Sequence, residues 1–441
     1  MTRCFVSAAV SAIALQGCIA SLAQEPSDPV LASIESVEEQ VVAWRRDIHQ
    51  NPELGNREFR TSKIVADHLR SLGMEVRTEI AVTGVLGVLK GGKPGPTIAL
   101  RADMDALPMK ELTGLPFAST VTAEYGFSKN VPVAHSCGHD AHTAMLLGAA
   151  SVLSQYKDDI EGTILFVFQP AEEGPPPGET GGASRMLAEG LFEEYSPEAM
   201  FALHVEPGPV GQLFTRPDGF LAGATVVNIK VMGEGTHAAR PWMGTDLLSL
   251  SADIIKAMSV ISARRFNVLE EPAVITLAHM EAGTRSNILP PEATISGTLR
   301  TYSLERLSFI KSEIERSVEA LATMYDADGE VSYGDPTPPT INNAALLRRV
   351  TPALEAAAGP PGLDVDSTPR PAAEDFSFFA LEIPSVYVIL GSTPNWTGYE
   401  NAVANHSPQF DIDEDVLQVG VRTHVFLALD YLSDLSALRA S

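Results

Sequence analysis

Apolar residues recur along this chain with two different rhythms. Residues 37–72 alternate apolar and charged positions at helical spacing, with a break at Asn51-Pro52. Short unbroken apolar runs at 97–100, 163–168, 199–203 and 385–390 sit between turn signals and read as buried strands. Residues 139–156 read as a helix with Met145, Leu146, Ala149, Val152, Leu153 and Tyr156 on one face. Unbroken apolar strands alternating with helices predict an α/β fold, a mostly parallel sheet covered on both faces.

The middle of the chain has the other rhythm. Residues 225–231 alternate, with Val227, Ile229 and Val231 on one face and Val226, Asn228 and Lys230 on the other. A helix over 245–263 follows, then strands at 273–280 and 292–301, a helix over 303–324 and a strand at 328–333. Strand-helix-strand-strand-helix-strand is the ferredoxin-like order of an α+β unit. The breaker cluster Asp335-Pro336-Thr337-Pro338-Pro339 closes it, and the helix–strand pattern then resumes. The expected organisation is a large α/β domain in two parts, 36–218 and 335–434, with an α+β domain at 219–334 inserted between them.

Composition and the first residues narrow the setting. A net charge of −25 over 441 residues argues against a nucleic-acid partner. Met1-Thr2-Arg3 is a positive start, residues 4–23 are small and apolar, and Ser21-Leu22-Ala23 has the small residues of a cleavage site. Residues 1–23 are expected to be a signal peptide, which puts the mature chain in a secreted or periplasmic setting. Leu15-Gln16-Gly17-Cys18 gives a rival reading, a lipoprotein leader with a lipid anchor at Cys18. Two of the three cysteines lie in this leader, so the mature chain keeps Cys137 alone and can form no internal disulfide.

Ligands of open parallel sheets bind beyond the carboxyl ends of the strands. Arg101-Ala102-Asp103-Met104-Asp105 follows the first buried run, Gln169-Pro170-Ala171-Glu172-Glu173-Gly174 the second and His204 the third. The fourth leads to Asn405-His406-Ser407. Cys137-Gly138-His139-Asp140 opens the long helix, where the dipole favours a thiolate. Thiolate, imidazole and carboxylate together suit zinc, manganese, cobalt or nickel. Glu172 and Glu173 are adjacent acids that repel each other unless a cation sits beside them. A metal site gives them separate work: Glu173 as ligand, and Glu172 as the base that takes a proton from water. His135 and His142 flank this corner and are expected to support it rather than to ligate. His49, His68, His279 and His424 fall in helical or strand patterns and read as structural.

These motifs resemble the aminoacylase/hippurate hydrolase branch of the dinuclear metallopeptidase family. The resemblance is carried by Trp44-Arg45-Arg46-Asp47-Ile48-His49, by the segments just quoted, by Gly233-Glu234-Gly235-Thr236-His237 and by Ser286-Asn287-Ile288-Leu289-Pro290 running on to Arg300. It spans residues 40–430 in order. It implies a zinc-peptidase-like fold with the inserted domain serving as lid and dimerisation surface of a homo-oligomer. It implies an amidohydrolase that cleaves N-acyl amino acids to a carboxylic acid and an amino acid. Two divalent metal ions would be held by Cys137, His139, Glu173, His204 and His406, with Glu172 as base. His237 would polarise the scissile carbonyl, in some members from a neighbouring subunit, and Asn287 and Arg300 would bind the substrate carboxylate. Broader relatives carry a His near position 101, where this chain has Arg101, so the bridging ligand stays open.

Three rival readings follow from the same residues. A thiol hydrolase with Cys137 as nucleophile and His139 as base leaves Glu173, His204 and His406 without a task. A two-domain binding protein has no use for Glu172 beside a ligand. A dipeptidase, carboxypeptidase or N-carbamoyl amino acid hydrolase uses the same site on another short substrate.

Overall fold

The computed structural model describes residues 28–394 and 401–440. The leader, with Cys18 and the two processing sites, lies outside the described residues. An eight-stranded sheet forms the larger body. Its four central strands run in the order Glu161–Gln169, Lys93–Asp103, Ala199–Glu206 and Ser385–Gly391, every neighbour parallel. These are the four apolar runs of the sequence, each extended in the structure by one to seven residues. Burial on both faces is what their unbroken apolar character requires.

The antiparallel part of this mostly parallel sheet lies at its margins. Gly84–Lys90 pairs antiparallel with Glu161–Gln169, and Glu75–Ile80 pairs antiparallel with Gly84–Lys90. On the other side Leu213–Phe214 runs antiparallel to Ser385–Gly391. The sheet is therefore mixed, parallel at its centre. Gly84–Lys90 escapes a pattern reading because its glycines interrupt the apolar run. Gly87 is needed there, since a Cβ would stand 2.7 Å from Leu69 of the helix laid across the strand.

Helices Glu38–Gln50, Phe59–Ser71, His139–Gln155 and Val416–Leu432 share one core with this sheet. The break at Asn51-Pro52 separates the first two, as the sequence suggests. Two terminal helices lie outside the expected bounds. Pro29–Glu35 is capped by the Asp28 carboxylate, and Leu435–Ala440 meets it through an Arg439–Asp28 pair. Each is too short to show a period.

Residues 223–333 build a second sheet with its own core. Its strands run Ala273–Ala282, Glu292–Thr301, Gly223–Met232 and Asp328–Tyr333, all antiparallel. Val227, Ile229, Val231, Ile295 and Leu299 face the helices Leu247–Arg264 and Leu304–Met324 and are buried. The alternation read from 225–231 is this one-sided burial. The chain enters and leaves side by side, with Asp218–Leu221 antiparallel to Thr340–Asn342.

A buried polar knot fixes the helix Glu38–Gln50 to the start of His139–Gln155. Asp140 Oδ2 lies 3.0 Å from Arg45 Nε and 2.9 Å from His49 Nδ1, and Glu111 Oε1 lies 3.1 Å from His49 Nε2. Burial disfavours charge on His49, but Asp140 and Glu111 outweigh it and raise its pKa from 6.5 to about 9. A raised folded pKa gives stability that is complete below the unfolded value near 6.5 and is lost as pH rises through about 9. Urea titrations are expected to show stability falling between those limits by on the order of 2–3 kcal/mol, and His49→Gln to flatten that slope.

Candidate metal centre

Four strand ends and one helix start supply the site. His139–Gln155 begins behind Gly138, whose φ is +98° and whose Cβ would stand 2.2 Å from Val205 Cγ2. Only glycine allows both the left-handed turn and that approach. The turn places Cys137 against the end of strand Ala199–Glu206, and Cys137 Sγ lies 3.4 Å from His204 Nε2. His406 arrives from the far segment in a left-handed conformation, φ +64°, with its amide bonded to Ser136 O at 2.7 Å. Its Nε2 lies 3.3 Å from Cys137 Sγ and 2.7 Å from Glu173 Oε1.

Each ligand-type residue has one polar atom held by the protein and another left over. His204 Nδ1 donates to Val205 O at 2.8 Å, so its Nε2 carries the free lone pair that faces Cys137. His139 Nδ1 lies 3.2 Å from Asp105 Oδ1, while its buried Nε2 has no hydrogen-bond partner. Glu173 Oε1 is likewise buried without one, although His406 Nε2 is within ion-pair distance. Ligand atoms of Cys137, His139 and Glu173 fall within 4.8 Å of one another. Burial and the charges of Glu173 and Glu172 push the Cys137 thiol well above its ordinary pKa. A thiolate here therefore needs a cation. Orphaned nitrogen and carboxylate atoms around a buried sulfur are the donor set of a transition-metal site.

A second group, Asp103, His139, His142 and His204, is as compact. His142 is not available to ligate: its Nδ1 bonds Asp103 Oδ1 at 2.6 Å and its Nε2 accepts from Val205 N at 2.8 Å. It supports the centre by fixing that strand end, the role expected from its position. His135 makes no hydrogen bond through either ring nitrogen.

Glu172 stands on the other side of His139, its Oε2 3.7 Å from His139 Nε2. Burial, then Glu374 and Glu173, raise its pKa well above the carboxylate range. The turn that carries both acids is set by Asp105, whose two oxygens accept from the amides of Glu172 and Glu173 at 3.0 Å each. Ala171 precedes them at φ +51°. Behind Glu172, the fully buried Arg101 bonds Asp103 at 2.7 Å, Gln169 at 2.9 Å and Glu374 at 2.9 Å, and Tyr387 Oη bonds Glu374 at 2.6 Å. Asn405 Nδ2 bonds Cys137 O at 3.0 Å and Val205 O at 3.1 Å, tying the His406 segment to the site.

These residues line a cavity of about 120 Å³, with Glu206, Leu221, Ala372, Ala373, Glu374 and Tyr387 completing its wall. A larger cavity of about 580 Å³ lies beside Gly208–Gly211 and Val419 and holds Asp415 as its one ionisable lining group, so the chemistry belongs to the smaller one. The structure brings Cys137, His139, Glu172, Glu173, His204 and His406 to one place. It leaves His237, Asn287 and Arg300 on the second body, none of them in the cavity lining. His237 and Asn287 are exposed.

A cation-binding donor set beside a buried acid, at the carboxyl edge of an α/β sheet, defines a metal-binding hydrolase of amide or peptide bonds. Residues 99–430 match Peptidase family M20/M25/M40, and the chain belongs to that family. It is 37% identical over 401 residues to thermostable carboxypeptidase 2 of Saccharolobus solfataricus, covering 90% of this chain and 97% of that one. It is 34% identical over 399 residues to IAA-amino acid hydrolase ILR1-like 2 of Arabidopsis thaliana, covering 89% and 85%. The crystal structure of a dinuclear metal-binding M20 peptidase of Bacillus subtilis superposes with a TM-score of 0.75 at 29% identity, covering 90% of this chain and 99% of the other.

The donor set gives a direct test. Cys137→Ser is expected to bind less manganese, zinc or cobalt than the parent by elemental analysis, and an unchanged content removes Cys137 from the ligands. Chelation is expected to lower the unfolding midpoint, because ions bound only by the folded state stabilise it.

Proposed function

We propose that this enzyme is an amidohydrolase that cleaves N-acyl amino acids, with Cys137, His139, Glu173, His204 and His406 holding two divalent ions and Glu172 as the general base. The observation that carries it is the division of labour between adjacent acids. Glu173 turns its Oε1 to His406 Nε2 at 2.7 Å, beside the thiol, while Glu172 is held apart in a buried place that raises its affinity for a proton. Divalent ions held by these residues would supply Lewis acidity for water and for the amide carbonyl. Glu172 takes the proton of the attacking water and passes it to the leaving amine, which needs a carboxyl whose pKa lies nearer neutrality than usual. Asp105 keeps Glu172 and Glu173 in register through their amides, so the base does not drift toward the ions.

The thiol-hydrolase reading is less well supported. The Cys137 thiol is pushed up rather than activated, and its near neighbours are His204 and His406, while His139 Nε2 faces Glu172. The relatives favour an amide substrate that carries an amino acid: one is named a carboxypeptidase and another an IAA-amino acid hydrolase. Carboxypeptidase or dipeptidase action on the same scaffold is therefore the second reading. His237 would serve the cleft of a second copy. What supports this is its exposure in a single chain, together with the outer edge of strand Ala273–Ala282, which has no strand partner among the described residues and carries exposed Val274 and Met280.

Glu172→Gln is expected to retain metal and lose nearly all turnover, at least about a hundredfold, in a spectrophotometric assay of N-acyl amino acids with added manganese, zinc or cobalt. Normal turnover in that variant removes Glu172 as the base.

A further inference from the structure

One buried acid beside the turn of Glu172 and Glu173 belongs neither to the donor set nor to the base. Glu58 is fully buried and stands directly before the helix Phe59–Ser71. An acid at that position ordinarily serves the first turn of its helix. Here Glu53 already does so, its two oxygens accepting from the amides of Arg60 at 2.9 Å and Thr61 at 2.8 Å. Glu58 instead turns its carboxyl group away from its own helix. Its Oε1 accepts from Ala171 N at 2.8 Å, and its Oε2 accepts from Thr83 Oγ1 at 2.5 Å. Both partners are buried. They are an amide and a hydroxyl rather than a cation, and burial together with the charge of Asp105 raises the Glu58 pKa from 4.5 to about 8. A charge gains nothing in such a place. What Glu58 supplies there is two fixed acceptor oxygens.

The bond to Ala171 falls at the start of the turn that carries the two acids. Ala171 has φ +51°, a left-handed conformation that a residue with a Cβ adopts at a cost. Its methyl group lies between two bare backbones: a Cβ on Gly55 or on Gly181 would stand 3.0 Å from it. Gly174 N closes the turn onto Ala171 O at 3.2 Å. Three successive amides thus point to two buried carboxyl groups, Ala171 to Glu58, and Glu172 and Glu173 to Asp105.

Asp105 alone holds the turn at two points, which leaves a rotation about the line joining them. It also shares Oδ1 with His139 Nδ1 at 3.2 Å. Glu58 adds a third point. The segment that carries it is itself bound beside Asp105, where Ala106 N donates to Glu53 O at 2.8 Å. A rotated turn would carry Glu172 away from His139 Nε2, which now lies 3.7 Å from its Oε2.

We propose that Glu58 is a positioning residue for the general base: by holding the Ala171 amide it fixes the left-handed turn so that Glu172 stays beside His139 while Glu173 faces Cys137 and His406. The proposal rests on the assignment of Glu172 as base. It needs the acceptor oxygens of Glu58 and not its charge.

The test measures kcat, KM and metal content of the metal-loaded enzyme on an N-acyl amino acid. Glu58→Ala is expected to lower kcat by about ten- to a hundredfold, the effect of a reacting group displaced by a fraction of an ångström to an ångström. KM and metal content are expected to stay near those of the parent. Glu58→Gln keeps a carbonyl oxygen for Ala171 N and an amide for Thr83, and is expected to keep kcat within about threefold of the parent. Thr83→Val frees Glu58 Oε2 without emptying the space around it and is expected to lower kcat by a smaller factor, which decides the matter if the alanine variant folds poorly. A parent-like kcat in Glu58→Ala, or in Thr83→Val where the alanine variant does not fold, overturns the proposal. So does a Glu58→Gln enzyme as impaired as Glu58→Ala, or a loss of metal in step with kcat. These outcomes leave the base assignment standing. A parent enzyme idle on N-acyl amino acids overturns the functional reading, and the part of Glu58 with it.

Discussion

The buried negative charge at the carboxyl edge of the sheet is the constraint around which this molecule is arranged. Asp103, Asp105 and Glu374 are buried there, Glu172, Glu173 and Asp375 nearly so, and Cys137 sits among them. Two like charges 4 Å apart cost about 4 kcal/mol even at an effective dielectric of 20. Most of these groups are settled by named partners: Asp103 by Arg101 and His142, Asp105 by two amides, Glu374 by Arg101 and Tyr387, Asp375 by Gln169 and the Ala183 amide. Cys137, His139 and Glu173 converge among them, with Cys137 Sγ 3.3 Å and Glu173 Oε1 2.7 Å from His406 Nε2. The buried His139 Nε2 in that group has no hydrogen-bond partner among the described residues, and a cation there would balance the remaining negative charge.

That arrangement depends on the parallel centre of the sheet. Parallel strands all end at one edge, so residues far apart in sequence reach a common site without a long excursion of any one segment. The glycine at 138 turns the thiol onto a strand end, and the left-handed residues Ala171 and His406 aim their neighbours inward. Non-glycine residues in that region carry a local cost, and here the surrounding hydrogen bonds hold them in it.

The outline of this site was legible in the sequence because strand ends and a helix start are marked by pattern. Cys137, His139, Glu172, Glu173 and His204 each stand next to an apolar run whose length and flanks give its identity. Asp105 was quoted only as part of a motif, because it acts through backbone amides, which leave no trace in residue type. Asn405 and the Arg101–Glu374 pair span 268 and 273 residues of separation, and one chain offers no local sign of such contacts. The antiparallel margin was hidden by glycines that serve packing rather than turning. His237, Asn287 and Arg300 came from resemblance, and a resemblance carries roles that belong to an assembly as well as those of a single chain.

Arg101 shows why the donor set takes the form it does. Where broader relatives are expected to place a histidine, this chain buries a permanent cation that claims Asp103 Oδ2 at 2.7 Å. His142 claims Asp103 Oδ1. Asp105 spends both oxygens on the amides of Glu172 and Glu173. Each of these four oxygens already accepts a hydrogen bond from the protein. The atom that does stand between the histidines is Cys137 Sγ, 3.4 Å from His204 Nε2 and 3.3 Å from His406 Nε2. The guanidinium at 101 thus ties down Asp103 and Glu374 beside the centre, while the Cys137 sulfur sits where the imidazoles of His204 and His406 meet.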